Sequence, residues 1–301
     1  MSVSIFKYLK DLENKNTLRA AIIYITVAYF FHALQIKFFK YGHFNIVPQS
    51  LFLRALLCLI VIFLFQSKQK YYPKVKTKYL IKSQFLSAIG SSIYFYGLKY
   101  ISISEAAILF ATNSIWSQLI VSFMKREHIT KSRFINSIIC IVGITLASNP
   151  TINVEDPFMH IIGCLSILIC SVVQSISYIT MKQIGSEVSS SVVTSYYQIM
   201  IIITSSLWQQ QICKFEYFTG YWFYLFGFAF FTLLGQMLQF RAQTMVTYDK
   251  ICNYTYSQFL YVIIIDYVLF RKILSQNGFI GGSLILFGVF KQLSDDKKLR
   301  G

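Results

Sequence analysis

Long apolar runs separated by short polar stretches recur along the whole chain. Four of these runs, 134–154, 157–181, 188–213 and 217–240, contain no Asp, Glu, Lys or Arg. About 20 mainly apolar residues cross a bilayer as an α-helix, so the pattern predicts ten transmembrane helices. The predicted spans are roughly 18–38, 47–67, 79–98, 103–124, 133–150, 158–181, 190–212, 218–240, 249–270 and 274–291.

The positions of the prolines indicate how these spans are built. All four, Pro48, Pro73, Pro150 and Pro157, fall at span edges or in loops. Because proline interrupts a helix from within, this placement predicts mostly continuous helices and disfavours the unwound helices of some ion-coupled transporters. The loops are short, and no separate soluble domain is predicted.

The composition supports an all-α integral membrane protein. Of the 301 residues, 55% are apolar and only 13% are charged, whereas soluble domains carry about 25% charge. The net charge of +16 could indicate nucleic-acid binding, but that function needs basic residues clustered on a soluble face. Here they lie mostly between apolar runs. Membrane lipid is therefore the expected partner, and nucleic acid is not.

The distribution of Lys and Arg predicts the orientation. Of these residues, 21 fall on the side of the predicted membrane that carries the N-terminus and six fall on the other side. Basic loops are retained in the cytoplasm, so we expect both termini to be cytoplasmic, with an even number of spans. The N-terminus lacks the features of a cleavable signal peptide, so the first apolar run should be the anchor. Both the plasma membrane and an endomembrane remain open.

The two halves of the chain match in register at an offset of 145 residues. Gly90 then meets Gly235, and Gly143 meets Gly288. Spans 3, 4 and 5 fall onto spans 8, 9 and 10. Because each half would hold five spans, an odd number, the halves would insert in opposite orientations. Inverted repeats of this kind are typical of transporters whose substrate site lies near the bilayer midplane, between the halves.

Two stretches of the chain and one arginine resemble those of a known family. The stretch GSSIYFYGLKYISISEAAILFATNSIWSQLIVSFMKREHITKSRFINSIICIVGITL is similar to the third to fifth helices of an EamA-type repeat of the drug/metabolite transporter superfamily. The stretch DYVLFRKILSQNGFIGGSLILFGVF resembles the matching part of a second repeat. Arg54, six residues after Pro48, matches a common arginine of the family. Ser114 and Phe259 stand where the family often has proline, and Arg271 and Lys272 replace an expected acidic residue.

The resemblance implies a fold and a domain organisation. The fold is ten transmembrane helices in two inverted five-helix repeats, around a central cavity lined by spans 1, 3, 4, 6, 8 and 9. The domains are a cytoplasmic N-terminal segment, two EamA-like repeats and a cytoplasmic tail. Their predicted bounds are 1–17, 18–150, 158–291 and 292–301.

Polar residues inside the spans are the candidate binding residues. Asn113 and Trp116 share a face of span 4, and at an offset of 145 they meet Gln258 and Tyr261. An amide followed one turn later by an aromatic ring suits a cavity wall, and it also suits ordinary packing between membrane helices. The other candidates are Tyr94 and its counterpart Gln239, His32 and Gln35 on span 1, and Gln174 and Tyr178 on span 6. His32 could carry a proton or simply be hydrogen-bonded.

Two charged residues lie within spans. Arg54 is a further candidate for substrate binding or for gating, and the alternatives are a structural pair or snorkelling to the headgroups. Asp266 is predicted to pair with Arg54 or Arg271 near the outer gate and to help hold the outward side closed. The alternatives for Asp266 are proton carriage and simple solvation at the membrane surface.

These features predict a secondary membrane transporter that moves a small polar or amphipathic organic metabolite by alternating access. One alternative is a nucleotide-sugar or organic-anion antiporter of internal membranes, which Arg54 and Lys182 would suit. Another is a non-transporting receptor or scaffold. The sequence shows no nucleophile–base pair, metal-ligand spacing or ATP-binding motif, so neither an enzyme nor a cofactor or metal is predicted. A homodimer remains open as an oligomeric state.

Overall fold

The computed structural model describes residues 12–42, 46–65, 77–101, 103–126, 131–148, 156–186, 188–208, 221–270 and 276–298. Within these ranges the regular structure is helical. Two short 3₁₀ segments, Tyr248–Lys250 and Cys252–Tyr256, precede helix α10. The α-helices are α1 (Thr17–Tyr41), α2 (Val47–Phe65), α3 (Thr77–Gly97), α4 (Ile103–Ala111), α5 (Asn113–Lys125), α6 (Lys131–Ser148), α7 (Pro157–Ile184), α8 (Ser190–Trp208), α9 (Trp222–Met245), α10 (Ser257–Phe270) and α11 (Gln276–Lys298).

Local sequence sets the ends of α7, the longest helix. The side chain of Asp156 accepts hydrogen bonds from the backbone N–H groups of Phe158 and Met159, at 3.0 and 3.3 Å. Pro157 follows at the first helical position, where its missing N–H costs nothing. At the other end, Gly185 has a positive φ of 81°, which glycine adopts without steric cost. These residues fix both ends of α7.

The predicted fourth span is not one continuous helix. It divides at Thr112, between α4 and α5, although no proline is present there. The Thr112 hydroxyl donates to the carbonyl oxygen of Leu109 at 2.6 Å, and Ile115 N–H donates to the Thr112 carbonyl oxygen at 3.0 Å. These i to i+3 bonds tighten the chain locally. At an offset of 145, Thr112 corresponds to Ser257, where the 3₁₀ segment gives way to α10. The sequence predicted mostly continuous helices, and these two spans are the places where the regular α-helical hydrogen bonding is interrupted.

The helices of the two halves pack in pairs that follow the predicted repeat. Helix α1 packs on α9 and α3 packs on α7, which are equivalent pairs, while α2 packs on α8 and α6 packs on α11. Gly143 and Gly288 lie in the α6–α11 contact. A Cβ atom on Gly143 would approach the carbonyl oxygen of Gly281 to 2.8 Å. The two helices therefore come this close only because position 143 carries no side chain.

Five helical segments are long and apolar enough to cross a membrane, judged by length and composition within the described residues. They are Thr17–Tyr41, Val47–Phe65, Glu105–Met124, Pro157–Ile184 and Trp222–Met245. Large apolar side chains also cover much of the outer surface, such as Phe65, Phe123 and Leu207, which are each more than four-fifths exposed. An apolar exterior suits contact with lipid tails. The count of ten spans stays a prediction.

Candidate functional site

A cavity lies at the centre of the described helices, between α1, α3, α7 and α9. Its volume is about 100 Å³. A single ordered water needs only about 10–15 Å³ on the same measure, so the cavity has room for a small organic molecule. Its lining residues are Tyr29, His32, Gln35, Ile36, Ser87, Ser91, Tyr94, Phe95, Phe110, Gln174, Tyr178, Tyr197, Gln236, Gln239, Phe240 and Gln258. The described part of this lining contains amides, hydroxyls, one imidazole and aromatic rings, and no Asp, Glu, Lys or Arg.

His32 connects the two halves of the chain across this cavity. Its Nδ1 lies 2.8 Å from Oε1 of Gln35 on the same helix. Its Nε2 lies 2.7 Å from Oε1 of Gln239 on α9. A neutral imidazole donates from only one nitrogen, so it satisfies both contacts if one amide presents its NH₂ group instead of its oxygen. The two glutamines therefore allow either tautomer of His32.

A second polar group lies on α7, on the opposite wall of the cavity. The Gln174 side-chain NH₂ donates to the Ser87 carbonyl oxygen at 3.2 Å and to the Ser91 hydroxyl at 3.1 Å. The Tyr197 hydroxyl also donates to the Ser91 hydroxyl, at 2.8 Å. Within the described part of the chain, Oε1 of Gln174 has no hydrogen-bond partner. An acceptor therefore remains unused beside the cavity.

The matched glycines of the two halves make room for these polar residues. A Cβ atom on Gly90 would lie 3.0 Å from the Gln174 side chain, and one on Gly235 would lie 3.0 Å from Cε1 of His32. Each glycine thus receives a polar side chain from a helix of the other half. The pair that aligns the repeats in the sequence therefore also shapes the cavity walls.

A smaller cavity of about 70 Å³ adjoins the first. The two share Tyr29, Ile36, Tyr94, Phe110 and Gln258 in their linings. Asn113 lines the smaller one. Its side chain is buried, and its Oδ1 has no hydrogen-bond partner among the residues described. This amide therefore offers a second unused acceptor.

The structure brings together most of the residues that the sequence singled out. Asn113 lines the smaller cavity, and seven others line the larger one: His32, Gln35, Tyr94, Gln174, Tyr178, Gln239 and Gln258. Trp116 and Tyr261 line neither cavity. Trp116 is 38% exposed at the outer surface, and Tyr261 packs edge-on against Phe30, with 5.4 Å between ring centroids.

Arg54 and Asp266 differ in how far the structure describes them. Arg54 is fully buried behind the cavity wall, with its guanidinium carbon 5.9 Å from the Phe95 ring centroid and 5.1 Å from that of Phe228. Asp266 lies in α10, but its side chain is outside the described residues, as is Arg271. The predicted pairing of Asp266 with Arg54 or Arg271 stays a prediction.

Several lining residues were missed by sequence reasoning. Tyr197 lies on α8, the seventh predicted span, which was not expected to line the cavity. Ser91 and Gln236 each follow one of the matched glycines, Gly90 and Gly235. Adjacency to these glycines is a signal that could have identified both.

A cluster of charged and polar residues joins helices at the end of the bundle where α1 begins. Arg241 donates from Nε and one terminal nitrogen to the two carboxylate oxygens of Glu13, at 3.1 and 2.6 Å. Its other terminal nitrogen donates to the Ser186 carbonyl oxygen at 2.7 Å. The Tyr24 hydroxyl donates to Glu13 at 2.8 Å. We call Glu13, Tyr24, Ser186 and Arg241 the N-terminal latch, since they link α1, α9 and the α7–α8 connection.

Other polar contacts near the N-terminal latch also join helices at this end of the bundle. The Lys182 ammonium donates to the carbonyl oxygens of Thr244 and Met245, at the end of α9. Arg133 lies 3.6 Å from the Asp249 carboxylate. At the opposite end of the bundle, His160 Nε2 lies 3.1 Å from Oε1 of Glu105. Polar contacts therefore join helices at both ends, with the cavity between them.

Comparisons with known proteins agree with this architecture. A solved structure described only as "Crystal structure of protein" is 13% identical and superposes with a TM-score of 0.70, over 93% of this chain and 98% of its own. At that identity the likeness shows the fold alone. Comparison with curated proteins gives no match. The sequence profile of the EamA-like transporter family matches residues 19–149 and again 161–291. With two repeats that together span most of its length, the chain belongs to the EamA-like transporter family, within the drug/metabolite transporter superfamily.

Proposed function

We propose that this protein is a secondary transporter that moves a small polar or amphipathic organic metabolite by alternating access. The central cavity supports this most directly, because it lies between equivalent helices of the two halves and has polar walls. Transporters with inverted repeats bind their substrates at such an interface and rock one half against the other.

The chemistry of the cavity suits a small solute with both polar and flat apolar parts. Gln174 and Asn113 each hold an unpartnered acceptor oxygen within the described region, so a donor on the solute could satisfy them. Tyr94 and Phe110 meet edge to face at 5.1 Å and provide stacking area. A volume of about 100 Å³, with a cavity of about 70 Å³ adjoining it, favours a small solute over a bulky one.

The proposed orientation has both termini in the cytoplasm, following the distribution of basic residues. The N-terminal latch would then close the cytoplasmic side. To test this, cysteine is introduced singly into the loop between α2 and α3 or beside Asp156, and intact cells are labelled with an impermeant thiol reagent. We expect labelling beside Asp156 and none in the other loop. The reverse pattern would overturn the orientation.

The proposed transport is tested with purified protein in two steps. A thermal-shift screen against amino acids, carboxylates, nucleotide sugars and polyamines identifies ligands, because binding to the folded state alone raises its stability. Flux of each ligand is then measured in liposomes for the wild type, Asn113→Ala and Gln258→Ala. We expect both variants to fold and to transport about 10-fold less, since each loses one buried hydrogen bond to the solute.

A matched control separates binding from folding. Thr232 is buried on α9, but its hydroxyl donates only to the carbonyl oxygen of Phe228, at 2.6 Å, and it lines neither cavity. Thr232→Val should therefore transport like the wild type. Normal flux in both amide variants would show that Asn113 and Gln258 do not bind the solute. The absence of any stabilising ligand and of any flux would instead favour a receptor or scaffold.

A further inference from the structure

Arg54 stands out among the charged residues that the structure describes. It is the one Lys, Arg, Asp or Glu side chain there that is fully buried. Its Nε and both terminal nitrogens have no hydrogen-bond partner within the described helices. A guanidinium carries five N–H donors and stays charged in proteins. None of this donor capacity is used by a hydrogen bond to the residues that the structure describes.

The surroundings of Arg54 compensate only part of its buried charge. The rings of Phe95 and Phe228 flank the guanidinium, and cation–π attraction to them is favourable. The ring faces cannot replace the directed hydrogen bonds that water would give. A buried cation within a membrane bundle is costly and usually faces a functional pathway. An anion brought to Arg54 would recover the missing hydrogen bonds and neutralise the charge.

The side chain of Phe95 lies next to both Arg54 and the larger cavity. Phe95 lines that cavity and also lies against the guanidinium. Phe39 packs on both flanking rings, with centroids 4.6 Å from Phe95 and 5.4 Å from Phe228. A change in the Phe95 rotamer, which the packed ring of Phe39 would have to accommodate, would be needed to connect Arg54 with the cavity.

The cavity walls would not oppose an anion. Its described lining residues include no carboxylate, and their glutamine, serine and tyrosine side chains all carry donor groups. A carboxylate on Arg54 can accept two parallel N–H bonds, an arrangement that favours planar anions over a neutral amide. The aromatic rings that now cover the guanidinium would then contact the apolar part of the solute.

We propose that Arg54 is the counter-ion of the transported solute, and that this solute is a small organic anion with a carboxylate group and an apolar or aromatic body. Phe95 covers Arg54 in the conformation described here and moves aside when the anion binds. The proposal rests on the transport function above and specifies the class of substrate.

Matched pairs of acids and amides test the charge preference. Acetate and acetamide, benzoate and benzamide, and phenylacetate and phenylacetamide each differ in charge while keeping nearly the same shape. The full chain is purified in detergent without other anions at high concentration, and the dissociation constant is measured by thermal shift. For at least one pair we expect the acid to bind about 10-fold or more tightly than the amide, since charge-assisted hydrogen bonds are stronger than neutral ones.

Substitutions at Arg54 assign that preference to the guanidinium. In Arg54→Gln the acid and the amide should bind equally, and Arg54→Lys should keep part of the preference because it keeps the charge. Arg19→Gln removes an exposed arginine from α1 and should leave the preference unchanged. If Arg54→Gln folds and still prefers the acid, or if the wild type binds both members of every pair alike, the proposal is overturned.

Chemical modification provides a readout that does not depend on transport. Phenylglyoxal modifies accessible arginines, and mass spectrometry of peptides locates the product. Arg54 should react slowly in the wild type and faster in Phe95→Ala and in the milder Phe95→Leu. Benzoate or phenylacetate should slow the reaction at Arg54 but not at Arg19. If chloride or inorganic phosphate protects Arg54 as well as the organic acids do, Arg54 is a general anion site and the substrate assignment is wrong.

The outcomes distinguish this proposal from the transport function on which it rests. Flux of neutral solutes that depends on Asn113 and Gln258, with no preference for acids, would support the proposed transport function. The same result would contradict the proposal that Arg54 is the counter-ion of the solute. The absence of flux for every acid, amide and other solute tested would contradict both the transport function and the counter-ion role of Arg54.

Discussion

Arg241 and Arg54 are two arginines with opposite environments in the same bundle. Arg241 is about a quarter exposed at the end of α9, and its terminal nitrogens and Nε all contact oxygen atoms of Glu13 and Ser186. Arg54 is fully buried on α2, and its nitrogens have no hydrogen-bond partner among the described residues. Among the described residues, the partly exposed Arg241 is therefore hydrogen-bonded through all three nitrogens, and the fully buried Arg54 is not hydrogen-bonded.

Because their environments differ, we expect substitutions of the two arginines to have opposite effects on stability. A paired arginine at the rim joins three parts of the chain, and its removal should loosen them. A buried arginine with no hydrogen-bond partner among the described residues costs desolvation energy, and the binding role proposed for Arg54 would account for its presence. Four substitutions test this contrast, from the largest expected effect to the smallest.

The largest effect should come from Arg241→Met. This change removes the bidentate ion pair with Glu13 and the hydrogen bond to Ser186, which together should cost about 2–3 kcal/mol of stability. In a chain of this size the melting temperature should fall by several degrees, and an engineered cysteine near Ser186 should react faster with thiol reagents. Exchanging the two charges, as Glu13→Arg with Arg241→Glu, should recover part of the loss. An unchanged melting temperature in Arg241→Met would show that the latch contributes nothing.

Arg54→Met should act in the opposite direction. Replacing an unpaired buried cation with an apolar side chain of similar length removes its desolvation cost, so stability should rise by about 1–2 kcal/mol. The measurement is the melting temperature without ligand, compared with that of the wild type. A melting temperature that falls as far as in Arg241→Met would show that Arg54 is a structural residue, and the contrast would fail.

Tyr24→Phe should have a smaller effect than either. It removes only the hydroxyl that donates to Glu13 and leaves the Arg241–Glu13 pair intact. One such hydrogen bond to a charged acceptor, partly exposed here, contributes about 1 kcal/mol. The double variant with Arg241→Met should then lose less than the sum of the two single losses, because both act through Glu13. Strict additivity would contradict a shared network.

The smallest effect should come from Asp249→Asn. The carboxylate of Asp249 lies 3.6 Å from Arg133, too far for a strong hydrogen bond. Loss of its charge should cost less than about 1 kcal/mol, as for other weak ion pairs. A loss as large as that of Arg241→Met would show that closure at this end depends on both contacts equally.

The fold was more accessible from the sequence than the details of the site. The alignment of Gly90 with Gly235 indicated the register of the repeat in the sequence. The packing of α1 on α9 and of α3 on α7 agrees with that register. Polar residues within apolar spans were informative because burial in a membrane bundle is costly unless they face a cavity or another helix. For this reason most of the selected amides lie along the two cavities.

Other features depend on three-dimensional context that the sequence does not reveal. The break at Thr112 arises from hydroxyl and 3₁₀ hydrogen bonds without proline or glycine, so the usual sequence signals are missing. Trp116 and Tyr261 share a broad helix face with Asn113 and Gln258, but the cavity is narrower than that face. The environment of Arg54 is formed by aromatic rings from other helices, Phe95 and Phe228.

The exchange of polar side chains across the matched glycines bears on how the protein can be assembled. Gly90 of the first half receives Gln174 of the second, and Gly235 of the second half receives His32 of the first. Neither half alone contains both sides of either contact. Suppose that the chain were cut between Ser148 and Asp156 and its halves were produced as separate polypeptides. Each half would then expose to lipid an empty space beside its glycine and a polar side chain that has lost its packing partner. The two fragments would then be expected to mature only when made together, each acting as the folding template of the other.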